Sequence, residues 1–309
     1  MALDLAGLSN YIDQNRMELI KKFILGGRST QFLTIQPDIK STAAINILSQ
    51  DLVLAAGGCG FTDNSDTILT QQNLTVCPLK LNNSICLDDL QAKWTQTLMN
   101  PGSYNTEIPF EQLYVEDTVL QLSSTIDQLI WKGDTVSGSG QLDLCDGYIY
   151  LAENTYSAST VAGNTGGLTA LTVNNIIDAI DGMAAVVPVD IINRDDLYIY
   201  MGYDTYRLMA RALRNFNYFA YTGAEDQGEN FSQMWPGTNL RVIAVKGLNG
   251  TNKMFLSSKA NMYYGTDLMS DYENLDIFFS QDHQEVRTIA KFKTGVAVAF
   301  PEYLVYFTL

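Results

Sequence analysis

The residues that most often carry out acid–base or nucleophilic chemistry are sparse in this sequence. His283 is the single histidine among 309 residues, and it lies in the polar stretch SQDHQEVR. No Gly-x-Ser-x-Gly turn is present to supply an activated serine beside it. Three acidic pairs could exchange protons with a substrate: Asp88–Asp89, Asp178/Asp181 and Asp195–Asp196. Such pairs are far more common at helix starts and in solvated loops, so we predict no catalytic residues and an exposed histidine.

Glycine-rich segments and clustered carboxylates are the next candidates for ligand binding. The segments Gly57-Gly58-Cys59-Gly60 and Gly138-Ser139-Gly140 match neither the phosphate-binding P-loop nor the dinucleotide motif G-x-G-x-x-G. Asp143 and Asp146 have the spacing of the start of a calcium loop, but its later ligands are missing. The sequence therefore predicts loop tips at these positions and no cofactor.

The four cysteines show no metal-binding or disulfide pattern. Cys59, Cys77, Cys86 and Cys145 contain no C-x-x-C spacing, and a single histidine cannot complete a local zinc site. A chain of this length does not need a disulfide framework to fold. We expect buried free thiols in a reducing compartment.

Three arginines repeat at helical spacing after the stretch MGYDTY. Arg207, Arg211 and Arg214 share one face of a predicted helix. The opposite face carries Tyr206, Met209, Ala210 and Leu213. The basic stripe either binds acidic neighbours across an interface between subunits or is a solvated face.

The composition favours an assembled protein. Hydrophobic residues make up 46% of the chain and charged residues only 17%, below the roughly 25% of soluble domains. Burial against other chains would explain this, although Ser, Thr, Asn and Gln could also cover the surface. A net charge of −15 disfavours binding of nucleic acid through phosphate contacts, but not its enclosure. No signal peptide or membrane-spanning run is evident, so no membrane contact is expected.

The periodicity of apolar residues predicts a mixture of helices and strands. Residues 3–25 form a helix, and residues 34–84 form a long two-stranded excursion with the strands AAINILS and LTVCPLKL. Pro78 would place the second strand at an edge. After a short helix, LDDLQAKWTQTLM, the longest helix runs from Glu111 to Trp131, and Gly133 ends it. Its apolar stripe comprises Val115, Val119, Leu122, Ile126 and Leu129.

The second half of the chain alternates short helices and strands without regular βαβ units. Residues 134–171 are rich in Gly, Ser and Thr and read as loops around one short strand, DGYIYL. A helix over Val173–Val187, the strand DLYIYM and a helix from Tyr203 to about Asn215 follow. The strands NLRVIAVKGL and KMFLSS come next, then an alternating strand over Val286–Lys293 and the closing run GVAVAFPEYLVYF. This order predicts an α+β fold with antiparallel sheets.

Several stretches, taken in order, resemble a known family. They are TVCPLKLNNSICLDDLQAKWTQTLMNPGSYNTEIPFEQLYVED, IDQLIWKGD, LCDGYIYL and the end ANMYYGTDLMSDYENLDIFFSQDHQEVRTIAKFKTGVAVAFPEYLVYF. Together they are similar to the major capsid proteins of tailed bacteriophages (Caudoviricetes), especially those of Bacteroidetes-type hosts. The resemblance implies a Hong Kong 97-like fold.

The resemblance also implies a division of the chain. Residues 1–33 would be an N-terminal arm, and residues 34–84 an extended β-hairpin, the E-loop, with its tip at Gly57, Gly58, Gly60 and Asp66. Residues 85–134 would be a peripheral domain whose spine helix is anchored by Trp131. Residues 135–268 would be mainly an axial domain, with 134–171 a local insertion, and residues 269–309 would return to the peripheral domain.

A capsid subunit of this family assembles with itself. The resemblance implies pentamers and hexamers in an icosahedral virion that encloses double-stranded DNA after assembly in the host cytoplasm. Portal, scaffold and decoration proteins would be further partners. Two alternatives remain at this stage: an encapsulin-type bacterial compartment, which has the same fold, and a hydrolase with a site built from acidic residues on loops.

Overall fold

The computed structural model describes residues 27–51, 53–54, 66–86, 110–215, 231–267, 275–280, 282–283 and 285–309. The helices are α1 (Arg28–Gln31), α2 (Phe110–Lys132), α3 (Tyr148–Tyr150), α4 (Ile176–Ala185) and α5 (Tyr203–Asn215). The strands are β1 (Thr34–Gln36), β2 (Thr42–Asp51), β3 (Asp66–Thr75), β4 (Cys77–Cys86), β5 (Val161–Ala162), β6 (Leu197–Gly202), β7 (Ser232–Met234), β8 (Arg241–Val245), β9 (Met254–Ser258), β10 (Met262–Thr266), β11 (Leu275–Ser280), β12 (Glu285–Val298) and β13 (Val305–Phe307). The predicted helices over residues 3–25 and 87–99 lie outside the described residues.

The long helix α2 agrees with its prediction to within one residue at each end. Ile126 and Leu129 are buried, while Val119 and Leu122 are half-buried; the side chain of Val115 lies outside the described residues. Gly133 follows the helix, and its N–H donates to the Leu129 carbonyl at 3.0 Å. A β-carbon at this position would lie 2.0 Å from the Cys145 carbonyl oxygen. Gly133 is therefore needed because the chain passes so closely, not for a left-handed backbone.

A six-stranded mixed sheet with the order β5-β13-β9-β6-β8-β7 forms the centre of the second half of the chain. Helices α4 and α5 cover one face, where Ile180 and Met209 pack on the apolar side chains of β6 and β8. The other face carries Tyr200 and Phe255, which pack against the end of α2. The alternation of side chains along each strand lets one sheet bury both faces.

A second sheet is built around the long strand β12. It has five strands, in the order β1-β10-β12-β11, with β4 also paired to β12. The predicted alternation in β12 is confirmed: Ala290 and Phe292 are buried, and Lys291 is exposed. Pro78 in β4 lies opposite Lys293 in β12. In the described part of the sheet, β4 pairs with β12 only. Its place at an edge agrees with the missing N–H of proline.

Strands β2 and β3 form an antiparallel hairpin of ten residue pairs, from Thr42↔Thr75 to Asp51↔Asp66. The two-stranded excursion is thus narrower than the predicted range 34–84. The single strand predicted for LTVCPLKL was wrong, because the chain turns at Val76, whose N–H donates to the Ser41 carbonyl at 2.9 Å. The residues after Val76 leave the hairpin and pair with β12 instead.

Two further predictions were wrong. The stretch DGYIYL is helical: α3 is continued by a π-helical turn over Leu151–Thr155. A run of four consecutive apolar residues cannot distinguish a strand from a helical turn, and tertiary packing of Tyr148 decides it. Cys77 and Cys145 are not free thiols but form a disulfide with a Cα–Cα distance of 5.8 Å. The folded topology brings together two cysteines that are 68 positions apart in sequence.

Both sheets combine strands from different predicted domains. The domain bounds themselves stay a prediction. Strand β10 precedes residue 268 but belongs to the five-stranded sheet with β12. Strand β13, from the end of the chain, pairs with β9 in the six-stranded sheet. Among the described residues, no helix has the length and apolar character needed to span a membrane.

Candidate assembly surfaces

Trp131 forms the centre of the aromatic core at the end of α2. Its ring lies 5.2 Å from Tyr148 and 5.3 Å from both Tyr200 and Phe255, measured between ring centroids. The indole N–H donates to the Ser29 hydroxyl oxygen at 2.6 Å. Trp131 therefore joins α1, α2 and the six-stranded sheet. Its apolar surface is buried, and its single donor has a hydrogen-bond acceptor.

A buried carboxylate one turn before Trp131 reinforces this junction. Asp127 Oδ1 accepts from the Ser29 N–H and Oδ2 from the Gly247 N–H, both at 3.0 Å. Backbone donors thus replace the water that a carboxylate loses on burial. A β-carbon at Gly247 would lie 2.3 Å from the backbone oxygen of Asp127 and from Trp131 Cδ1. The region from Asp127 to Trp131 thus fixes α1 and the segment after β8 to the long helix.

One face of the hairpin presents an apolar pair to solvent. Leu48 and Leu69 lie directly opposite each other in the ladder, with 56% and 77% of their surfaces exposed. The neighbouring pair on the same face is polar, and Gln71 Nε2 donates to Asn46 Oδ1 at 2.8 Å. Single exposed leucines are ordinary, but two that meet on a two-stranded ribbon form a continuous apolar surface.

The other face of the hairpin is covered near its root only. Ile45, Ile47 and Leu74 pack on Ala297, near the end of β12, and on Ala299, just after it. Further out, Ile68 is 52% exposed, and Leu54 beyond the end of β2 is 97% exposed. The hairpin is therefore anchored at one end, and its outer half offers apolar side chains on both faces.

The three arginines of the predicted stripe lie on the exposed face of α5. Arg207, Arg211 and Arg214 are all exposed, while Met209 and Leu213 are buried beneath them. Arg214 Nε donates to the Ala210 carbonyl at 3.2 Å. None of the three has an ion-pair partner within the part of the chain that the structure describes. The stripe therefore presents three exposed positive charges on a strongly acidic protein.

The remaining predicted residues do not form a common site. Gly57, Gly58 and Gly60 lie outside the described residues, while Asp66 pairs with Asp51 at the outer end of the hairpin ladder. His283 is exposed in the turn between β11 and β12, as predicted.

Asp88 and Asp89 lie outside the described residues, whereas three of the other candidate acids have structural partners. Asp181 accepts from the Trp235 indole N–H at 2.8 Å, and Asp146 accepts from the Thr135 N–H at 3.0 Å. The Arg194 guanidinium binds Asp196 at 2.8 Å and lowers the pKa of its carboxyl. Within the described ranges, no three metal-ligating side chains come together.

Sequence reasoning missed Ser29, Asp127 and Tyr148. The sequence could have indicated the role of Asp127, because this residue lies one turn before Trp131 on the apolar side of the helix, where an unpaired charge would be costly. No sequence pattern could have indicated the roles of Ser29 and Tyr148, since their hydrogen-bond partners are distant in sequence.

Comparison with known proteins gives a consistent fold. No protein-family model and no curated protein matches the sequence. Among solved structures, a subunit of the satellite phage P4 procapsid, which includes the size-determination protein Sid, superposes with a TM-score of 0.56 at 12% identity, over 94% of this chain and 97% of that one. The capsid protein of Myoviridae phage XM1 superposes with a TM-score of 0.53 at 15% identity, over 91% of this chain and 90% of that one. A subunit of a virus-like particle from Pyrococcus furiosus superposes with a TM-score of 0.50 at 10% identity, over 95% of this chain and 98% of that one.

These likenesses extend over nearly the whole of each chain. The predicted α+β fold of the Hong Kong 97-like type is therefore confirmed. At such low identities the likeness concerns the fold alone, and function has to be argued from the surfaces described above.

Proposed function

We propose that this chain is the major capsid subunit of a tailed bacteriophage. The observation that carries the proposal is the hairpin, which extends apolar side chains into solvent from a fold shared with phage capsid subunits. An apolar ribbon of two strands is marginal in water, and a neighbouring copy would cover it. The low content of charged residues supports the same view.

The arginine stripe supplies a second contact. Arg207, Arg211 and Arg214 stand on the exposed face of α5 in a chain of net charge −15. A neighbouring copy offers negative charge, and the attraction would orient the two copies during association. Pentamers and hexamers closing into an icosahedral virion are the assembly that these contacts would build.

The acidic balance suits a shell that encloses double-stranded DNA without binding its sequence. Like charges repel, so DNA can move against the inner wall during filling. Portal, scaffold and decoration proteins are the expected partners, and the virion is the expected location. The sequence stretches alone support a host of the Bacteroidetes type and assembly in its cytoplasm.

A compartment shell with protein cargo is the second candidate, and the likeness to the Pyrococcus furiosus virus-like particle favours it. Imaging by negative stain and analysis of particle contents separate the two. We expect closed particles that, when isolated from their natural source, contain nuclease-protected double-stranded DNA. Particles that contain only protein cargo would favour the compartment, and small soluble oligomers would contradict both.

A further inference from the structure

The disulfide between Cys77 and Cys145 joins two segments that otherwise meet only through non-covalent contacts. Cys77 begins β4, directly after the hairpin root at Val76. Cys145 lies in the segment that follows α2 and comes close to Gly133. Their Cα atoms are 5.8 Å apart, within the usual range for bridged cysteines. The bond therefore links the root of the hairpin to the end of the long helix.

Contacts other than the disulfide also position both cysteines. Cys77 pairs with Thr294 in the ladder between β4 and β12. A β-carbon at the next residue of β12, Gly295, would lie 2.1 Å from the Thr75 carbonyl oxygen. On the other side, the Gly147 N–H donates to the Gly133 carbonyl at 2.8 Å and closes the loop that carries Cys145. The two sulfurs are thus brought together by the fold.

The two cysteine residues differ in their exposure to solvent. Cys145 is 4% exposed and packs in the core with Trp131 and Tyr148. Cys77 is half-buried and packs at the border of the same core. A dissolved reagent should reach a half-buried cysteine sooner than a buried one, since thiol reactivity requires access as well as the thiolate form.

We propose that Cys77 and Cys145 form a thiol–disulfide exchange site for a small disulfide of the glutathione type, with Cys77 as the attacking residue and Cys145 as the resolving residue. The Cys77 thiolate attacks one sulfur of glutathione disulfide, which forms a mixed disulfide and releases one glutathione thiolate. The Cys145 thiolate then attacks the Cys77 sulfur, which forms the internal bond and releases the second glutathione. Two protein thiols are oxidised, one glutathione disulfide is reduced to two glutathiones, and the two thiol protons pass to these products or to water.

The exchange converts a non-covalent junction into a covalent one after folding. In a reducing environment the pair stays a dithiol, and only non-covalent contacts, namely hydrogen bonds and apolar packing, hold the hairpin root. When the disulfide form of glutathione predominates, the bond closes and limits how far the root can move from the end of α2. The inference concerns a single folded subunit, so it does not depend on the proposed shell.

The test uses the full chain with Cys59 and Cys86 replaced by serine, so that only the two proposed thiols remain. The reduced protein is incubated with glutathione disulfide, and intact mass and linked peptides are followed over time. We expect a peptide pair joined through Cys77 and Cys145 and a higher midpoint of thermal unfolding, both reversed by dithiothreitol. Adding Cys145→Ser should trap one glutathione on Cys77, whereas adding Cys77→Ser should leave Cys145 modified at least about tenfold more slowly.

Two results would overturn the proposal. One is a failure of the joined peptide to form although both thiols are reduced and the protein is folded. The other is modification of the Cys77→Ser variant as fast as the Cys145→Ser variant. If a serine variant does not fold, brief alkylation of the reduced, unsubstituted chain replaces it: Cys77 should be labelled before Cys145, and the reverse order would equally refute the assignment.

Discussion

The indole N–H of Trp131 and the hydroxyl of Ser29 form a hydrogen bond of 2.6 Å across 102 positions of sequence. The bond fixes the short helix α1 against the end of α2. Because Asp127 accepts from the Ser29 N–H, the same serine is held from two directions. A junction of this kind gives a rigid base to the surfaces that we propose for assembly.

We expect Trp131→Ala to lower the free energy of unfolding by about 3–5 kcal/mol, because a fully buried aromatic side chain is removed. Ser29→Ala should cost about 1–3 kcal/mol, since it leaves the buried indole N–H without an acceptor. Urea unfolding of the unassembled subunit measures both. Ser124→Ala is the matched control: its hydroxyl accepts from the exposed Lys246 ammonium, so its effect should stay within about 0.5 kcal/mol. Equal losses at Ser29 and Ser124 would contradict the role of the junction.

Leu48→Ser combined with Leu69→Ser should prevent closed particles while leaving the subunit folded. Each leucine contributes about 1.5–3 kcal/mol when a neighbour buries it completely, but little in the free subunit, where both are exposed. Sedimentation measures the assembled fraction, and urea unfolding checks the subunit.

The control for the hairpin is the polar pair on the same face. Asn46→Ala combined with Gln71→Ala removes a surface hydrogen bond but leaves the leucines, so particles should still form. Deletion of residues 57–66 should abolish closed particles and leave soluble subunits. Normal shells from the leucine double variant or from the deletion would argue against the hairpin as a contact between copies.

Arg211→Glu combined with Arg207→Glu should weaken association most strongly at low ionic strength. The substitutions place negative charge on a surface that we propose faces an acidic neighbour. Salt weakens the resulting repulsion, because at 0.1 M charges more than about 10 Å apart are largely screened. Light scattering at several salt concentrations measures the effect. Arg241→Glu is the control, because Arg241 is exposed but lies on β8 and outside the stripe. Identical association curves for the stripe variant and the control would show that the stripe is only a solvated face.

Stability should fall in alkaline solution because of buried tyrosines. Burial raises the pKa of Tyr148 and Tyr200 well above the usual value and that of Tyr264 to about 12. In the unfolded chain tyrosine ionises near pH 10, so the unfolded state releases protons before the folded state does. The contribution to stability is complete below about pH 10 and is lost as pH rises towards the folded pKa. Urea unfolding across this range measures it, and a free energy that stays constant or rises above about pH 10 would be inconsistent with these buried neutral phenols.

Much of the fold could be predicted from local pattern. The helix α2 was placed within one residue at each end, because its apolar residues repeat from Val115 to Leu129, about four turns, and proline and glycine flank it. Helix α5 agreed at both ends, since Gly202 separates a strand pattern from a helix pattern. Over such lengths the two periodicities are distinct.

The failures have a common physical cause, namely contacts between distant segments. Tyr148 is helical because it packs on Trp131, and a short run of four apolar residues could not indicate this. The strand LTVCPLKL divides at Val76 because one half pairs with β2 and the other with β12. The Cys77–Cys145 bond depends on that same division, so no spacing in the sequence could reveal it.

The most direct test of the account is a three-dimensional reconstruction of particles formed by the purified protein, at a resolution that traces side chains. We predict closed hollow shells in which Leu48 and Leu69 of each subunit are covered by a neighbouring copy. A compact monomer that forms no particles, or shells in which these two leucines face solvent, would contradict it.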